Sequence, residues 1–124
     1  MRRIILGIFI GVTIGLFAGY YITIAFLIDS IPKGYVSVTV VNQTGHLIKS
    51  LTLKHEKGNI EMKDLIDSDR AKLIFKNIGE NSYQIIAVMA NDSTVSSKGE
   101  YVESGYKMTE IIYSDRIETD SKLY

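Results

Sequence analysis

The stretch Ile4–Ile28, IILGIFIGVTIGLFAGYYITIAFLI, decides how this chain is organised. Its 25 residues include no charged side chain, whereas Arg2 and Arg3 precede it and Asp29 follows it. As an α-helix that rises about 1.5 Å per residue, the stretch would be about 37 Å long. Since the hydrocarbon layer of a bilayer is roughly 30 Å thick, the sequence predicts a tilted N-terminal transmembrane helix over residues 1–28.

The charges on the two flanks predict the orientation of this helix. Arg2, Arg3 and the α-amino group make the N-terminal flank positive, whereas Asp29 and a single Lys33 follow the span. Positively charged flanks stay in the cytoplasm, so we expect a cytoplasmic N-terminus and a C-terminal domain outside the cytoplasm. The alternative is a cleaved signal peptide. A signal anchor is favoured because the apolar run exceeds the roughly 7–15 residues of a signal-peptide core and no A-x-A cleavage site is present.

Four glycines recur every fourth residue inside the span: Gly7, Gly11, Gly15 and Gly19. Positions four apart lie on one side of a helix, and small residues there let a second helix approach closely in lipid. Glycine is also frequent in membrane helices that make no such contact. The regular spacing favours a helix–helix contact, with either a second copy of this chain or the helix of another protein.

The remainder of the chain is large enough for one small domain. After residue 28 the sequence holds 12 basic and 14 acidic residues, an overall balance too mild to indicate binding to nucleic acid or to an anionic membrane surface. The chain has no cysteine, which excludes disulfides, a thiol nucleophile, cysteine-ligated metal sites and a lipid-modified cysteine anchor. Residues 29–34 are predicted to be a short linker, because Pro32 opposes helix both at its own position and at the residue before it. Its roughly five residues reach about 17 Å at most.

After the linker the apolar pattern changes from continuous to alternating, which is typical of β-strands. Val36, Val38 and Val40, for example, alternate with Ser37 and Thr39. About seven short strands between residues 35 and 113 favour an all-β antiparallel sandwich, immunoglobulin-like or fibronectin-like in layout. The polar residues 114–124 are predicted to form a fraying C-terminal tail.

The sequence contains no constellation of residues that indicates catalysis, so we expect a protein that is not an enzyme and has no cofactor or metal. His46 and His55 are nine residues apart, which places them on opposite faces of one strand. The aspartates at 64, 67 and 69 lack the spacing of a calcium loop, and no GxSxG motif occurs. Four glutamates are expected on exposed connections: Glu100, Glu103, Glu110 and Glu118.

The stretch GEYVESGY, residues 99–106, is the most distinctive part of the predicted domain. Tyr101, Glu103 and Tyr106 are candidates for a partner surface, because a tyrosine ring adds contact area and its hydroxyl adds direction. The alternative is that one of these tyrosines packs on the core of the sandwich.

Two stretches carry a resemblance to a group of proteins: VNQTGHLIKSLTL at 41–53 and GEYVESGY at 99–106. The region from 35 to 113 resembles small, uncharacterised bacterial membrane-anchored envelope proteins with a β-sandwich domain. This resemblance implies a fold and a location in the cell envelope, and it assigns no functional residue. Together with the predicted span, it leads us to expect the bacterial inner membrane. We therefore expect a single-pass, non-enzymatic interaction or structural module of the cell envelope. The alternative is a secreted or periplasmic ligand-binding domain that is released by signal-peptide cleavage.

Overall fold

A computed structural model describes residues 1–29 and 31–122 of the chain. The chain divides into two compact units, Met1–Ser30 and Ile31–Tyr124. The first unit consists of helix α1, Arg2–Asp29. The second begins at the linker, and its architecture is described by itself below.

Helix α1 follows directly from its composition. Its residues from Arg2 to Ala25 form a segment that is long and apolar enough to cross a membrane. A signal sequence near an N-terminus would have the same properties. The two threonines with described side chains satisfy their hydroxyls within the helix. Thr13 Oγ1 donates to the carbonyl of Phe9 at 2.8 Å, and Thr23 Oγ1 donates to that of Gly19 at 2.7 Å.

Within residues 31–122 the second unit contains nine strands. They are β1 (Tyr35–Asn42), β2 (Ile48–His55), β3 (Gly58–Leu65), β4 (Arg70–Lys76), β5 (Asn81–Met89), β6 (Thr94–Ser96), β7 (Glu100–Val102), β8 (Lys107–Ile112) and β9 (Ile117–Lys122). The prediction of one N-terminal helix followed by a β-rich domain is therefore confirmed.

The nine strands of the described region form two open sheets. One has the order β4-β1-β8-β9, and the other has the order β3-β2-β5-β6, with β7 also paired to β5. The strands β1 and β8 run parallel, with Ser37 opposite Lys107 and Asn42 opposite Ile112. The expectation of a wholly antiparallel sandwich is wrong at this pair. Between β1 and β8 the chain crosses to the other sheet twice, for β2–β3 and again for β5–β7, and β4 lies in the first sheet between these two excursions. The parallel neighbours β1 and β8 are therefore joined by a long connection and not by a hairpin.

Alternating side chains from both sheets form a single core. Val36, Val38 and Val40 of β1 are fully buried, as are Leu53 of β2 and Ile85 of β5. Apolar side chains of this size each stabilise the fold by about 2 kcal/mol when they leave water. The remaining buried apolar residues are Ile48, Leu51, Leu65, Phe75, Tyr83, Ala87, Met89, Val95, Val102, Met108 and Ile112.

The structure differs from the sequence prediction at two edges. Residues 117–122 form β9 along β8, with Ile117 opposite Ile112, so a fraying tail over these residues is wrong. Tyr101 lies in the short strand β7 opposite Ser82, where the sequence indicated a loop. Both strands are short or polar, and they form because a neighbouring strand offers unpaired backbone groups. An alternating apolar pattern is therefore not required of them.

The register of the strands defines two ends of the β domain. The tether end contains the linker residues 31–34 and the connections 56–57, 77–80 and 103–106. The distal end contains the connections 43–47, 66–69, 90–93 and 113–116.

Candidate functional site

The glycine face of helix α1 is open along its length. A Cβ atom added at Gly7, Gly11, Gly15 or Gly19 would meet no other part of the described chain within 4 Å. Successive members of the set are rotated by about 40° around the helix, so the four glycines form a slowly winding stripe. The structure places these residues together as the sequence predicted, and a partner helix stays a prediction.

Three hydrogen bonds that involve backbone groups connect the end of the linker and the start of β1 to two neighbouring loops at the tether end. Gly34 N donates to Ser104 Oγ at 2.7 Å, and Asn77 N donates to the carbonyl of Gly34 at 2.7 Å. Gly105 N donates to the carbonyl of Tyr35 at 2.8 Å. Gly34 has a φ of +86°, a region where residues with a Cβ are strained. The chain therefore enters β1 through a turn that two loops hold in place.

The three residues predicted as a partner surface lie close together at this end. Tyr101 Oη donates a hydrogen bond to Glu103 Oε1, and the rings of Tyr101 and Tyr106 meet edge to face with centroids 6.3 Å apart. Tyr106 packs against the core, whereas Tyr101 is 49% exposed. Tyr106 therefore has a packing position, and Tyr101 has an exposed one; a partner surface at these residues stays a prediction.

The electrostatics of this surface keep the tyrosine hydroxyl protonated. The hydrogen bond to Glu103 raises the pKa of Tyr101 well above its ordinary value, and the nearby carboxylate of Glu80 acts in the same direction. A small cavity of about 240 Å³ lies beside the pair, lined by Gly79, Glu80, Glu103 and Ser104. The site therefore combines two carboxylates with a neutral hydroxyl.

A second tyrosine–glutamate pair lies inside the domain, and sequence reasoning missed it. Tyr83 Oη of β5 donates to Glu110 Oε1 of β8, and Thr119 Oγ1 of β9 donates to Glu110 Oε2 at 2.8 Å. Glu110 is fully buried, so its expected place on an exposed connection is wrong. The alternation Met108–Glu110–Ile112 was the available signal, since it puts Glu110 on the apolar face of its strand.

The environment of this buried pair shifts both of its titrating groups. Burial raises the pKa of the Glu110 carboxyl, and the hydrogen bonds from Tyr83 and Thr119 oppose that shift. Burial and the bond to Glu110 raise the pKa of the Tyr83 hydroxyl far above its ordinary value. Tyr83 also meets Phe75 edge to face, with ring centroids 6.1 Å apart. The pair therefore links the two sheets and has the contacts of a structural element.

Hydrogen bonds from the side chains of Asn42 and Thr44 hold the connections at the distal end together, and we call these two side chains the polar clamp. Asn42 Nδ2 donates to the carbonyls of His46 and Leu65 at 2.8 and 2.9 Å, and Asn42 Oδ1 accepts from Thr44 N and Oγ1 at 3.0 and 2.7 Å. Asn42 is fully buried. Although Asn42-Gln43-Thr44 matches the glycosylation sequon, the acceptor nitrogen is enclosed and engaged in the folded domain.

The clamp borders a cavity of about 400 Å³, which we call the distal cavity. Its volume lies in the range of small-molecule sites, and such sites combine apolar walls with a few polar groups. The lining includes Thr44, His46, Leu47, Met89, Ala90 and Ser93.

The two histidines occupy opposite ends of the domain. His46 lies in the β1–β2 connection at the distal end, and His55 ends β2 at the tether end. The His55 ring stacks on Phe75 with centroids 4.7 Å apart and an interplanar angle of 19°. Among the described residues, no group of three His, Asp or Glu side chains is placed to hold a metal ion.

Comparison with known proteins bears on the fold of this chain. No protein-family model matches the chain, and no curated protein matches it in sequence. The chain is similar to the NMR structure of a protein from Eubacterium rectale, with a TM-score of 0.60 and 11% sequence identity. The match covers 73% of this chain and 92% of that chain. At this level of identity the likeness shows a shared fold alone.

Proposed function

We propose that this protein is a single-pass component of a bacterial inner membrane, with a cytoplasmic N-terminus and a β domain on the outer side of that membrane. In this proposal the β domain is a non-enzymatic interaction or structural module of the cell envelope. Its two packed sheets have an immunoglobulin-like or fibronectin-like layout.

The observation that carries the proposal is the exposure of helix α1. None of the residues in its most apolar window, within Arg2–Ala25, is buried by the protein. Twelve Ile, Leu, Val and Phe residues lie between positions 4 and 25. At about −0.4 kcal/mol each near the bilayer centre, they favour insertion by on the order of 5 kcal/mol, before the smaller opposing contributions of glycine and threonine. The core of the β domain is formed without α1, so the apolar side chains of this helix are proposed to be covered by lipid.

Alkaline extraction of membranes combined with mass spectrometry of the mature N-terminus tests the anchor. We expect the full chain to stay in the membrane pellet with its N-terminal segment intact. An Ile10→Arg/Ile14→Arg variant is the matched control, because each arginine near the bilayer centre costs about 3 kcal/mol and should release the protein. A released native protein, or a mature N-terminus beyond residue 18, would contradict the anchor.

The same experiment decides the second candidate, a secreted or periplasmic ligand-binding domain. The distal cavity favours this candidate, since its size and mixed lining suit a small molecule with an apolar body. A cleaved N-terminal segment together with a domain free of the membrane would support it.

We further propose that the glycine stripe of α1 contacts a second transmembrane helix, in a homodimer or with a partner protein. A membrane two-hybrid assay compares Gly11→Ile/Gly15→Ile with Thr13→Ile, which adds bulk on the opposite side of the helix. The glycine variant should lose association, and the threonine variant should keep it. Equal signals from both variants would contradict this contact.

A further inference from the structure

We propose that the tether end of the β domain rests on the headgroup layer of the membrane that α1 spans, and that Tyr35, Ile78 and Tyr101 contact the lipid. The inference rests on the proposed function, because it requires α1 to be a membrane anchor. Its partner is an anionic phospholipid surface.

The first observation is the grouping of exposed apolar side chains at the tether end. Tyr35 starts β1 and lies opposite Lys76, the last residue of β4. Ile78 follows in the β4–β5 connection, and Tyr101 pairs with Ser82 near the start of β5. Their exposed fractions are 37%, 63% and 49%. Tyrosine and isoleucine together suit the boundary between headgroups and acyl chains, where an amphipathic ring finds both water and hydrocarbon.

The second observation is the length of the linker. Five residues, 30–34, separate Asp29 at the end of α1 from Tyr35 at the start of β1. They reach about 17 Å at most when extended, and Gly34 is already held by the domain through Asn77 and Ser104. The headgroup layer on one side of a bilayer is about 5 to 8 Å thick. The covalent link therefore keeps the tether end within reach of that layer.

The third observation is the charge on the two ends. It is counted over each connection together with the two nearest strand residues on each side of it. The tether end has five lysines and three glutamates: Lys33, Lys54, Lys57, Lys76 and Lys107 with Glu56, Glu80 and Glu103. The distal end has six acidic and three basic residues: Asp64, Asp67, Asp69, Asp92, Asp115 and Glu118 with Lys49, Arg70 and Arg116. An anionic membrane surface attracts the net positive end and repels the net negative one.

These observations favour lipid over a protein partner as the occupant. If α1 is a membrane anchor, a short linker keeps a lipid surface near the tether end at all times, whereas a protein partner would first have to bind. The exposed isoleucine at the distal end, Ile66, has the same 63% exposure as Ile78. Exposure of an isoleucine therefore does not distinguish the two ends. Their charge does, because Ile66 lies in the chain between Asp64 and Asp67.

The absence of tryptophan from the chain makes single-tryptophan variants a direct test. The full chain is reconstituted into phosphatidylcholine–phosphatidylglycerol vesicles whose acyl chains are brominated near their carbonyl ends. Ile78→Trp reports on the tether end, and Ile66→Trp is the control of equal exposure at the distal end. Tyr20→Trp reports on the span itself. We expect severalfold stronger bromine quenching for I78W than for I66W, and strong quenching for Y20W.

Each other outcome has a defined meaning. If Y20W is quenched and I78W is not, or if I78W and I66W are quenched equally, the inference is overturned and the anchor stands. If Y20W itself escapes quenching, the proposed anchor fails. If I78W is shielded from aqueous iodide without bromine quenching, protein covers this end and the inference fails. Adding Tyr101→Ser to I78W should reduce the bromine quenching. If the quenching is unchanged, the introduced indole inserts into the membrane by itself, and the inference is overturned.

Discussion

The described part of the β domain, residues 31–122, contains two tyrosine–glutamate pairs with the same chemistry in opposite surroundings. In each pair a tyrosine hydroxyl donates to a glutamate carboxylate, Tyr83 to Glu110 and Tyr101 to Glu103. Glu110 is fully buried between the sheets, whereas Tyr101 is 49% exposed at the tether end. The contrast shows that burial, rather than the hydrogen bond itself, decides what such a pair does for the protein.

The buried pair specifies how the sheets fit together. Water cannot replace a lost partner there, so an unmade hydrogen bond carries the full desolvation penalty. Glu110 receives a bond on each of its oxygens, one from the opposite sheet and one from β9. The exposed pair exchanges partners with water at little cost, which leaves its ring and carboxylate available for contacts outside the domain.

The largest expected effect comes from Glu110→Ala. This variant leaves the Tyr83 hydroxyl without its acceptor and opens a cavity in the core, and we expect a loss of about 3 kcal/mol in the free energy of unfolding. Urea unfolding of the full chain in detergent micelles, followed by the β-sheet circular dichroism signal, measures it. The control is Glu103→Ala, which should leave the midpoint unchanged. Equal losses from both variants would end the distinction between the pairs.

A smaller loss is expected from Tyr83→Phe, which keeps the ring packed against Phe75 and removes only the hydroxyl. The Glu110 carboxylate then has Thr119 as its remaining donor in a buried site, and the expected loss is about 2 kcal/mol at neutral pH. The same urea titration measures it. Since the penalty falls on the ionised carboxylate, the loss should shrink under acidic conditions, and a loss independent of pH would contradict this cause.

The pH dependence of stability gives a third test, with Glu110→Gln as the informative variant. Burial raises the pKa of Glu110 in the folded protein above its ordinary value of 4.5, so the folded protein keeps a proton that the unfolded chain has already lost. This contribution to stability is complete below the ordinary pKa and declines as pH rises through the raised one, by up to about 1.4 kcal/mol per pH unit. Glutamine cannot titrate, so the difference between the two proteins isolates Glu110 from the other carboxylates. If the free energies of unfolding of the native protein and of Glu110→Gln change in parallel with pH, Glu110 is not the titrating group.

The smallest effect is expected from Tyr101→Phe. Water takes over the bond to Glu103, so the midpoint of urea unfolding should stay within error of the native value. A loss comparable to that of Tyr83→Phe would show that the exposed pair is structural, and it would remove Tyr101 as a candidate for outside contacts.

Sequence reasoning succeeded where one local pattern was sufficient. The uncharged stretch predicted α1, and the alternation around Val36, Val38 and Val40 predicted a strand that is buried in the structure. It failed for β7 and β9, because an edge strand forms on the backbone groups of its neighbour and requires little of its own side chains. The exposed position expected for Glu110 is wrong, because the period of two along β8 places this residue toward the core, where both of its carboxylate oxygens accept hydrogen bonds.

The sequence by itself determined that an apolar helix precedes a β-rich domain, since hydrophobic period and length are properties of neighbouring residues. Only the tertiary structure decided that β1 and β8 lie side by side in parallel, that Glu110 meets Tyr83, and that Tyr35, Ile78 and Tyr101 share one end. These contacts join residues far apart in the chain. They depend on strand order and register, which the whole core selects together.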